Sequence, residues 1–239
     1  MKCESCNTLV VAEVSENNQT LVTDSDKVFY GRSYWFAHQE EDLGLPNISV
    51  RSRSDLPERC THWLGTVLKY KLPPAKVLEL GSAHGGFVAL LRWAGFDATG
   101  LELSPWVVDY ARQNFEVPTL LGPVEDQQLE ENSLDVIVLM DVLEHLPDPT
   151  TTMGYCLNLL KSDGLIFIQT PRLPEDETFS ELVTCRDPFL EQLKEKDHVY
   201  LFSERSIKEF FLRLGCKHVQ FEPAIFAHYD MFIVVGCTP

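Results

Sequence analysis

The sequence predicts an α/β fold: a doubly wound, seven-stranded, mostly parallel sheet with an antiparallel last strand, preceded by an N-terminal extension. Three observations predict it. Short apolar runs typical of buried strands alternate with helical patterns from residue 76 onward. The first run ends in a glycine-rich loop at 81–86 that leads into a helix. The last two strand patterns, 217–222 and 230–236, lack a helix between them and therefore predict a hairpin with an antiparallel edge.

The 239 residues suit one main domain with extensions better than two equal domains. An N-terminal extension, 1–73, ends at two consecutive prolines that mark the boundary to the main domain, 74–239. Within the extension, Leu56 to Tyr70 carries apolar residues at helical spacing, which predicts a helix. An insertion at about 172–202 precedes the C-terminal pair of strands.

The elements of the main domain follow in order along the chain. Strands are predicted at 76–80, 97–102, 117–121, 134–140, 164–170, 217–222 and 230–236. Helices are predicted at 85–95, 105–114, 150–161 and 204–214. Ser104 and Pro105 suit a helix start, because the serine can cap the helix and the proline fits its first turn. Ser203 offers a similar start for the last helix.

The corner between the first strand and the first helix of the main domain predicts nucleotide binding. A buried run through Glu79 ends at Gly81 and continues into a loop of small residues. Glycines let a ligand approach the backbone, and the free N–H groups of a helix start attract polar or anionic groups. Glu102 ends the second strand about 20 residues beyond this glycine, where a carboxylate can accept both ribose hydroxyls.

With these residues the chain resembles the class I S-adenosylmethionine (SAM)-dependent methyltransferases. Two later blocks, LDVIVLMDVLEHLPDP at 134–149 and LKSDGLIFIQTP at 160–171, resemble the fourth and fifth strands of that fold. The resemblance covers roughly residues 75–237 and implies SAM as the cofactor. One residue departs from the family pattern, because Ala83 replaces the middle glycine of the loop. We expect a slightly tighter fit there and retained binding.

The resemblance also implies which residues hold the cofactor. Glu79 and the loop backbone would face the methionine part of SAM, Glu102 would take the ribose hydroxyls, and Leu103 would pack on the adenine. The loop after the third strand, with Asp126, would edge the adenine amino group, and the end of the fourth strand would close the site. The cofactor-binding residues so implied are Glu79, Gly81, Ser82, Gly85, Glu102, Leu103, Val124, Glu125, Met140 and Asp141.

Two histidines are candidates for acid–base chemistry. Methyl transfer from a sulfonium mainly requires alignment of donor and acceptor, and for some acceptors the removal of a proton. His145 follows the fourth strand, at the sheet edge where ligands bind in such folds, and imidazole titrates near neutrality. His198 in the insertion is a rival base. In the alternative interpretation, His145 only shapes the pocket and His198 is a loop residue that caps the next helix.

The cysteines predict no complete metal site in this chain. Cys3 and Cys6 form a CxxC pair, whereas a closed structural zinc site needs four ligands. Related bacterial methyltransferases open with a zinc ribbon of two such pairs followed by a Tyr/Trp-rich segment, which 29–35 resembles, so a first pair would lie outside this chain. Two free thiols in a frayed terminus are the alternative. Seven scattered cysteines suggest reduced thiols and a cytoplasmic location.

Charge and hydropathy exclude several partners. The net charge of −16 argues against nucleic acid and anionic membranes, since phosphate binding needs clustered Lys and Arg. We find neither an apolar run long enough to span a bilayer nor a signal-peptide pattern. A small-molecule acceptor is therefore the predicted partner, and the zinc-ribbon relatives favour a sugar or a secondary metabolite.

Two other functions stay open at this point. A nicotinamide-dependent oxidoreductase could use the G-x-A-x-x-G pattern of 81–86 as its cofactor loop. Glu79, the LMDVLEHL block and the C-terminal hairpin speak against that function. A non-catalytic SAM-binding protein is the third alternative, which the full set of cofactor residues disfavours.

Overall fold

The computed structural model describes residues 3, 8–10, 31–36, 44, 46–175, 179–192, 198–226 and 229–236. The chain divides into two compact units. The first, here called the glycine-loop unit, comprises Thr20–Val138 and Leu159–Lys161. The second, the histidine-pair unit, comprises Met1–Gln19, Leu139–Asn158 and Ser162–Pro239.

Seven strands form the main sheet, in the order β4-β3-β2-β5-β6-β9-β8. Strands β2, β3 and β4 pair in parallel, and β9 runs antiparallel to both β6 and β8. This arrangement confirms the predicted sheet with its antiparallel last strand. The bounds are Lys76–Leu80 for β2, Asp97–Glu102 for β3, Thr119–Leu121 for β4, Leu134–Met140 for β5, Leu160–Pro171 for β6, His218–Glu222 for β8 and Asp230–Gly236 for β9.

Seven α-helices accompany the strands in the described part of the chain. They are α1 (Ile48–Asp55), α2 (Thr61–Tyr70), α3 (Gly86–Trp93), α4 (Pro105–Phe115), α5 (Pro149–Leu159), α6 (Phe179–Cys185) and α7 (Glu204–Arg213). A π-helical turn, Leu56–Cys60, joins α1 to α2, so the predicted helix at 56–70 continues a helical run that begins earlier. Asn47 caps α1 by accepting hydrogen bonds from Ser49 and Val50.

The core of the glycine-loop unit lies between its strands and the helices beside the glycine loop. Val77, Leu78 and Leu80 of β2 are buried, as is Phe87 of α3. The Phe87 ring meets Trp63 of α2 edge-on, with 5.3 Å between ring centroids. Because β2 and α3 are both anchored in this core, the loop between them has a defined position.

Several predicted boundaries differ from those in the structure. The third strand begins at Thr119 instead of residue 117, and Pro118 within the predicted range has no N–H group to donate to a neighbouring strand. The predicted helix 150–161 ends at Leu159, and β6 begins at Leu160 instead of residue 164. At this early part of β6, Lys161 forms an ion pair with Asp135 of β5 at 2.9 Å, which holds the chain against the sheet.

The insertion at 172–202 contains regular structure that the sequence analysis missed. It includes α6, a 3-10 helix at Pro188–Gln192 and a short strand, β7 (Tyr200–Leu201). Strand β7 pairs antiparallel with β1 (Leu9–Val10) from the N-terminal extension. A small hydrophobic cluster joins these pieces; its buried residues are Leu173, Leu182, Phe189 and Leu201.

The cysteines differ in part from the sequence-based expectation. Cys3, Cys60, Cys156 and Cys185 carry free thiols. Cys216 is disulfide-bonded, so the expectation of reduced thiols is wrong at this position. Cys6 lies outside the described residues, so the expectation that Cys3 and Cys6 form no complete metal site stays a prediction. Among the residues described, none of the helices has the length and apolar character needed to cross a membrane.

Candidate active site

The loop between β2 and α3 is shaped by backbone conformations that favour glycine. Gly85, which caps α3, has a φ of +82°, and a Cβ there would lie 2.9 Å from the side chains of Ala111 and Val117. Ala83 has a φ of +45°, in the same left-handed region. A glycine at this family position avoids the steric cost of that conformation, whereas Ala83 carries it.

Glu102, at the end of β3, is held by backbone N–H groups of two loops. Its Oε2 accepts a hydrogen bond from Ala83 N at 3.1 Å, and its Oε1 accepts from Leu103 N at 2.8 Å and Ser104 N at 3.3 Å. Burial raises the pKa of this carboxyl, while the three N–H donors oppose that shift. The carboxylate is therefore oriented before any ligand arrives, and it connects β3 to the glycine loop.

Glu79 and Ser82 present buried oxygens with unused hydrogen-bonding capacity. Within the described part of the chain, neither Glu79 Oε2 nor Ser82 Oγ has a hydrogen-bond partner. Burial raises the pKa of Glu79 well above its ordinary value, and the charge of Glu102 raises it further. Buried polar atoms normally find partners, so two orphans at one loop indicate a place for a polar ligand. The oriented carboxylate and these orphan oxygens fit a nucleoside with a cationic tail, as SAM is.

His84 occupies the middle of the glycine loop and is buried. Its Nδ1 accepts a hydrogen bond from Gly86 N at 3.0 Å, and its Nε2 lies 3.2 Å from Asp55 Oδ2. Burial opposes ionisation of Asp55, but the hydrogen bond with His84 and the charge of Arg51 lower its pKa below the usual range. The last turn of α1 thus supports the glycine loop through the contact between Asp55 and His84.

The remaining predicted cofactor residues of this unit lie at two loop positions. Val124, Glu125 and Asp126 form a 3-10 turn after β4, in which Val124 is buried and Asp126 is exposed. Leu103 is half-buried directly after β3, with its N–H on Glu102. Their contact with adenine stays a prediction.

In the histidine-pair unit, β5 ends at Met140, which is buried, and continues into Asp141 with a φ of +58°. Asp141 N donates to the Gln169 carbonyl at 2.9 Å, and Asp141 Oδ1 accepts from Gln169 Nε2 at 3.0 Å. The Asp141 side chain is therefore fixed by β6 immediately after the turn. The role of Met140 and Asp141 in closing the cofactor site stays a prediction.

The two histidines predicted from sequence meet in this unit. The rings of His145 and His198 have centroids 4.9 Å apart at an interplanar angle of 72°. Glu144, which the sequence analysis did not select, lies beside them with its Oε1 4.0 Å from His145 Nε2. Its Oε2 accepts a hydrogen bond from Thr170 Oγ1 at 2.9 Å.

The electrostatics of this group are set by buried carboxylates. Glu144 is 1% exposed, and burial raises its pKa well above the ordinary value, with the charges of Asp141 and Asp230 adding to the shift. His198 is buried, whereas the His145 side chain keeps 22% of its surface exposed. The signal available in the sequence was the spacing of D-x-x-E-H, where Glu144 directly precedes His145.

Comparison with known proteins places the chain in a family. Residues 52–220, more than half of the chain, match the methyltransferase domain family. The chain belongs to this family. The resemblance to class I SAM-dependent methyltransferases is thereby confirmed, and with it SAM as the cofactor.

Two of the sequence relatives are enzymes with the same function. The ubiquinone biosynthesis O-methyltransferase of Xanthomonas campestris pv. campestris is 31% identical over 129 residues, which cover 49% of this chain and 54% of that protein. The corresponding enzyme of Xanthomonas euvesicatoria pv. vesicatoria is 33% identical over the same coverage. The chain thus spans about half, 54%, of the length of the relatives that it matches.

Solved structures agree on the fold. A SAM-dependent methyltransferase from Aquifex aeolicus superimposes with a TM-score of 0.58 at 14% identity, covering 79% of this chain and 95% of that one. The phosphoethanolamine N-methyltransferase 2 of Haemonchus contortus, in complex with phosphomonomethylethanolamine and S-adenosylhomocysteine, gives 0.59 at 14% identity, covering 75% and 53%. At these identities the similarity establishes the fold alone.

Proposed function

We propose that this methyltransferase domain transfers the methyl group of SAM to a hydroxyl of a small-molecule acceptor. The observation that carries the proposal is the Glu102 carboxylate, oriented by three backbone N–H groups at the end of β3. SAM supplies an electrophilic methyl group on a positively charged sulfur. The chain contributes binding, orientation and removal of the acceptor proton.

Donor binding is assigned to the glycine-loop unit. Glu102 accepts the ribose hydroxyls, the unpartnered oxygens of Glu79 and Ser82 take the polar groups of the methionine part, and Leu103 packs on the base. The turn at Val124–Asp126 borders the adenine. The carboxylate of Glu102 favours a cationic donor over an anionic dinucleotide such as NAD, since a carboxylate repels the negatively charged phosphates of a dinucleotide.

The base that removes the acceptor proton is assigned to the histidine pair, since either imidazole can take that proton. In the transfer, the hydroxyl O–H bond breaks with its proton moving to an imidazole nitrogen of His145 or His198. The oxygen forms a bond to the methyl carbon as the carbon–sulfur bond breaks, and the sulfur keeps the electron pair. Imidazole is suited to this role because it titrates near neutrality. Met140 and Asp141 are assigned to the boundary of the site.

The donor assignment is tested by calorimetric titration of SAM into wild type and Glu102→Ala. Loss of a charged hydrogen-bond acceptor is expected to cost about 1.5–3 kcal/mol, roughly a 10- to 150-fold weaker Kd. Glu131→Ala, which removes an exposed carboxylate outside the site, is the matched control and should leave the Kd unchanged. Equal SAM affinity in wild type and Glu102→Ala would refute the donor assignment.

The acceptor assignment is tested by following S-adenosylhomocysteine release with extracts of small metabolites, with protein and with nucleic acid as substrates. Small metabolites should support turnover. His145→Ala should lower kcat while leaving the Kd of SAM near that of the wild type. A domain that binds SAM but turns over none of these substrates would favour the non-catalytic alternative.

A further inference from the structure

The side chains of Glu144, His145 and His198 converge in the histidine-pair unit. One potential ligand atom from each lies within 4.8 Å of the other two. Two imidazoles and one carboxylate form a ligand set that binds divalent transition metals and leaves coordination positions open. We propose that these three residues bind one divalent transition-metal ion of the zinc or ferrous class.

The hydrogen bond of His198 selects the tautomer that a metal requires. His198 Nδ1 lies 2.8 Å from the carbonyl oxygen of Gln192. A carbonyl oxygen can only accept, so Nδ1 carries the hydrogen and Nε2 carries the lone pair in the neutral ring. Metal-binding histidines commonly donate their second ring N–H to a carbonyl or carboxylate in this way, which orients the ring. The ring of His198 is therefore supported as a ligand.

The carboxylate of Glu144 is supported in the same manner. Its Oε2 accepts from Thr170 Oγ1 at 2.9 Å, while Oε1 faces His145. The backbone carbonyl of Glu144 accepts from Val199 N at 2.8 Å, and this bond holds the residue after His198 against the 3-10 turn of Glu144 and His145. These bonds bring a ligand from the insertion to two ligands that follow β5. No sequence spacing predicts such a set.

The surrounding charge favours a cation. Glu144 is almost completely buried. A buried carboxylate is unfavourable unless hydrogen bonds and a positive charge compensate it. A divalent ion on Glu144 and the two imidazoles supplies that compensation. The sequence analysis predicted no complete metal site in this chain because only two cysteines are clustered, and the present proposal departs from that prediction with a set of ligands that contains no cysteine.

The metal site adds to the proposed function. Metal binding itself is independent of that function, and only the role of the ion in methyl transfer rests on it. An ion with open positions can bind the acceptor hydroxyl and lower its pKa. With the ion bound, the histidines act as its ligands and no longer as the base of the proposed function. The hydroxyl proton then leaves to solvent before its oxygen attacks the methyl carbon. The class of acceptor that fits is a small molecule with a hydroxyl able to coordinate the ion.

The test measures metal binding in the absence of SAM and acceptor. The full chain, with Cys3→Ser and Cys6→Ser to remove the thiol pair, is stripped with chelator and titrated with Zn²⁺ by calorimetry. Elemental analysis then gives the stoichiometry, and Co²⁺ loading gives a visible absorption spectrum. One ion per chain is expected. His198→Ala should weaken Zn²⁺ binding by at least about tenfold, since even residues behind metal ligands affect affinity to that degree.

His218→Ala is the matched control, because His218 is an exposed histidine of β8. It should bind Zn²⁺ as the parent does. Should His198→Ala fail to fold by circular dichroism, His145→Gln replaces it, since the His145 side chain is partly exposed. Zn²⁺ binding that is absent, or equal in the His198 and His218 variants, overturns the metal site. Undiminished methyl transfer by chelator-treated protein overturns the role of the ion in methyl transfer and leaves the proposed function intact. Stoichiometric Zn²⁺ without methyl transfer supports the metal site and refutes the function.

Discussion

His84 donates a hydrogen bond from Nε2 to Asp55 Oδ2 over 3.2 Å while its Nδ1 accepts one from Gly86 N over 3.0 Å. A backbone N–H can only donate, so Nδ1 is unprotonated and Nε2 carries the hydrogen. The ring is therefore a neutral bridge between the end of α1 and the first residue of α3. Through this bridge, a residue of the N-terminal extension supports the loop that we assign to SAM binding.

Replacing His84 is expected to loosen the glycine loop. His84→Ala leaves Gly86 N and the Asp55 carboxylate without this partner, which should lower the free energy of unfolding by about 1–3 kcal/mol. SAM binding should weaken as well, because the loop loses its fixed conformation. Urea denaturation and calorimetry measure the two effects, with His218→Ala as an exposed control. A SAM Kd equal to that of the wild type would show that the bridge does not support the site.

The stability of the protein should depend on pH through Asp55. Burial alone would raise its pKa, but the hydrogen bond with His84 and the charges of Arg51 and Arg59 outweigh burial and hold the folded-state pKa below the ordinary 3.8. A carboxyl with a lowered folded pKa stabilises the fold above its unfolded pKa, and this contribution is lost as the pH falls through the folded pKa.

Wild type should therefore exceed Asp55→Asn in unfolding free energy near neutrality, and the difference should narrow as the pH falls below 3.8. Urea denaturation at a series of pH values measures it. In a His84→Ala background the narrowing should be smaller, since the strongest interaction that lowers the Asp55 pKa is gone. A difference that stays constant down to the acid transition would contradict the prediction.

Two glycine-to-alanine substitutions should have opposite effects. A Cβ on Gly100 of β3 would lie 2.5 Å from Ser82 Oγ and 2.8 Å from Ser82 Cβ, so the buried serine and its loop must shift. Gly100→Ala should destabilise by about 1–3 kcal/mol and weaken SAM binding. A Cβ on Gly154 of α5 would meet no described atom within 4 Å, so Gly154→Ala should stabilise by up to about 1 kcal/mol. Thermal unfolding distinguishes the two variants, and equal shifts in Tm would contradict this expectation.

Binding of SAM should release a proton from Glu79. Burial and the charge of Glu102 raise its pKa well above 4.5, so Glu79 keeps its proton to a higher pH in the unliganded protein than an ordinary glutamate does. A cationic donor favours the carboxylate instead, so binding and deprotonation are linked. Calorimetric titrations in buffers with different ionisation enthalpies count the released protons. Glu79→Gln should abolish the Glu79 contribution, and an unchanged proton count in that variant would count against its assignment to the SAM site.

Much of the fold was predictable because its signals are local. The apolar run before Gly81, the serine caps at Ser104 and Ser203 and the hairpin pattern at the C-terminus each depend on neighbours within a few residues. Both predicted caps form, with Ser104 Oγ accepting from Val107 N and Ser203 Oγ from Ser206 N. The departure at Ala83 was visible too, but its positive φ was not, because a backbone conformation depends on how the whole loop closes.

The sequence by itself determined the order of strands and helices in the main sheet, the family and the placement of Glu79 and Glu102 near the ends of consecutive strands. These follow from periodicity and short spacing along the chain. Only the tertiary structure decided that Asp55 supports His84 and that His198 joins Glu144 and His145. Each of those groups joins residues distant in sequence, 29 positions apart for Asp55 and His84. Within the glycine-loop unit, the packing of α1 brings Asp55 to His84, and within the histidine-pair unit, the packing of the insertion brings His198 to Glu144. Contacts between segments so distant along the chain depend on tertiary packing, which overrides local propensity.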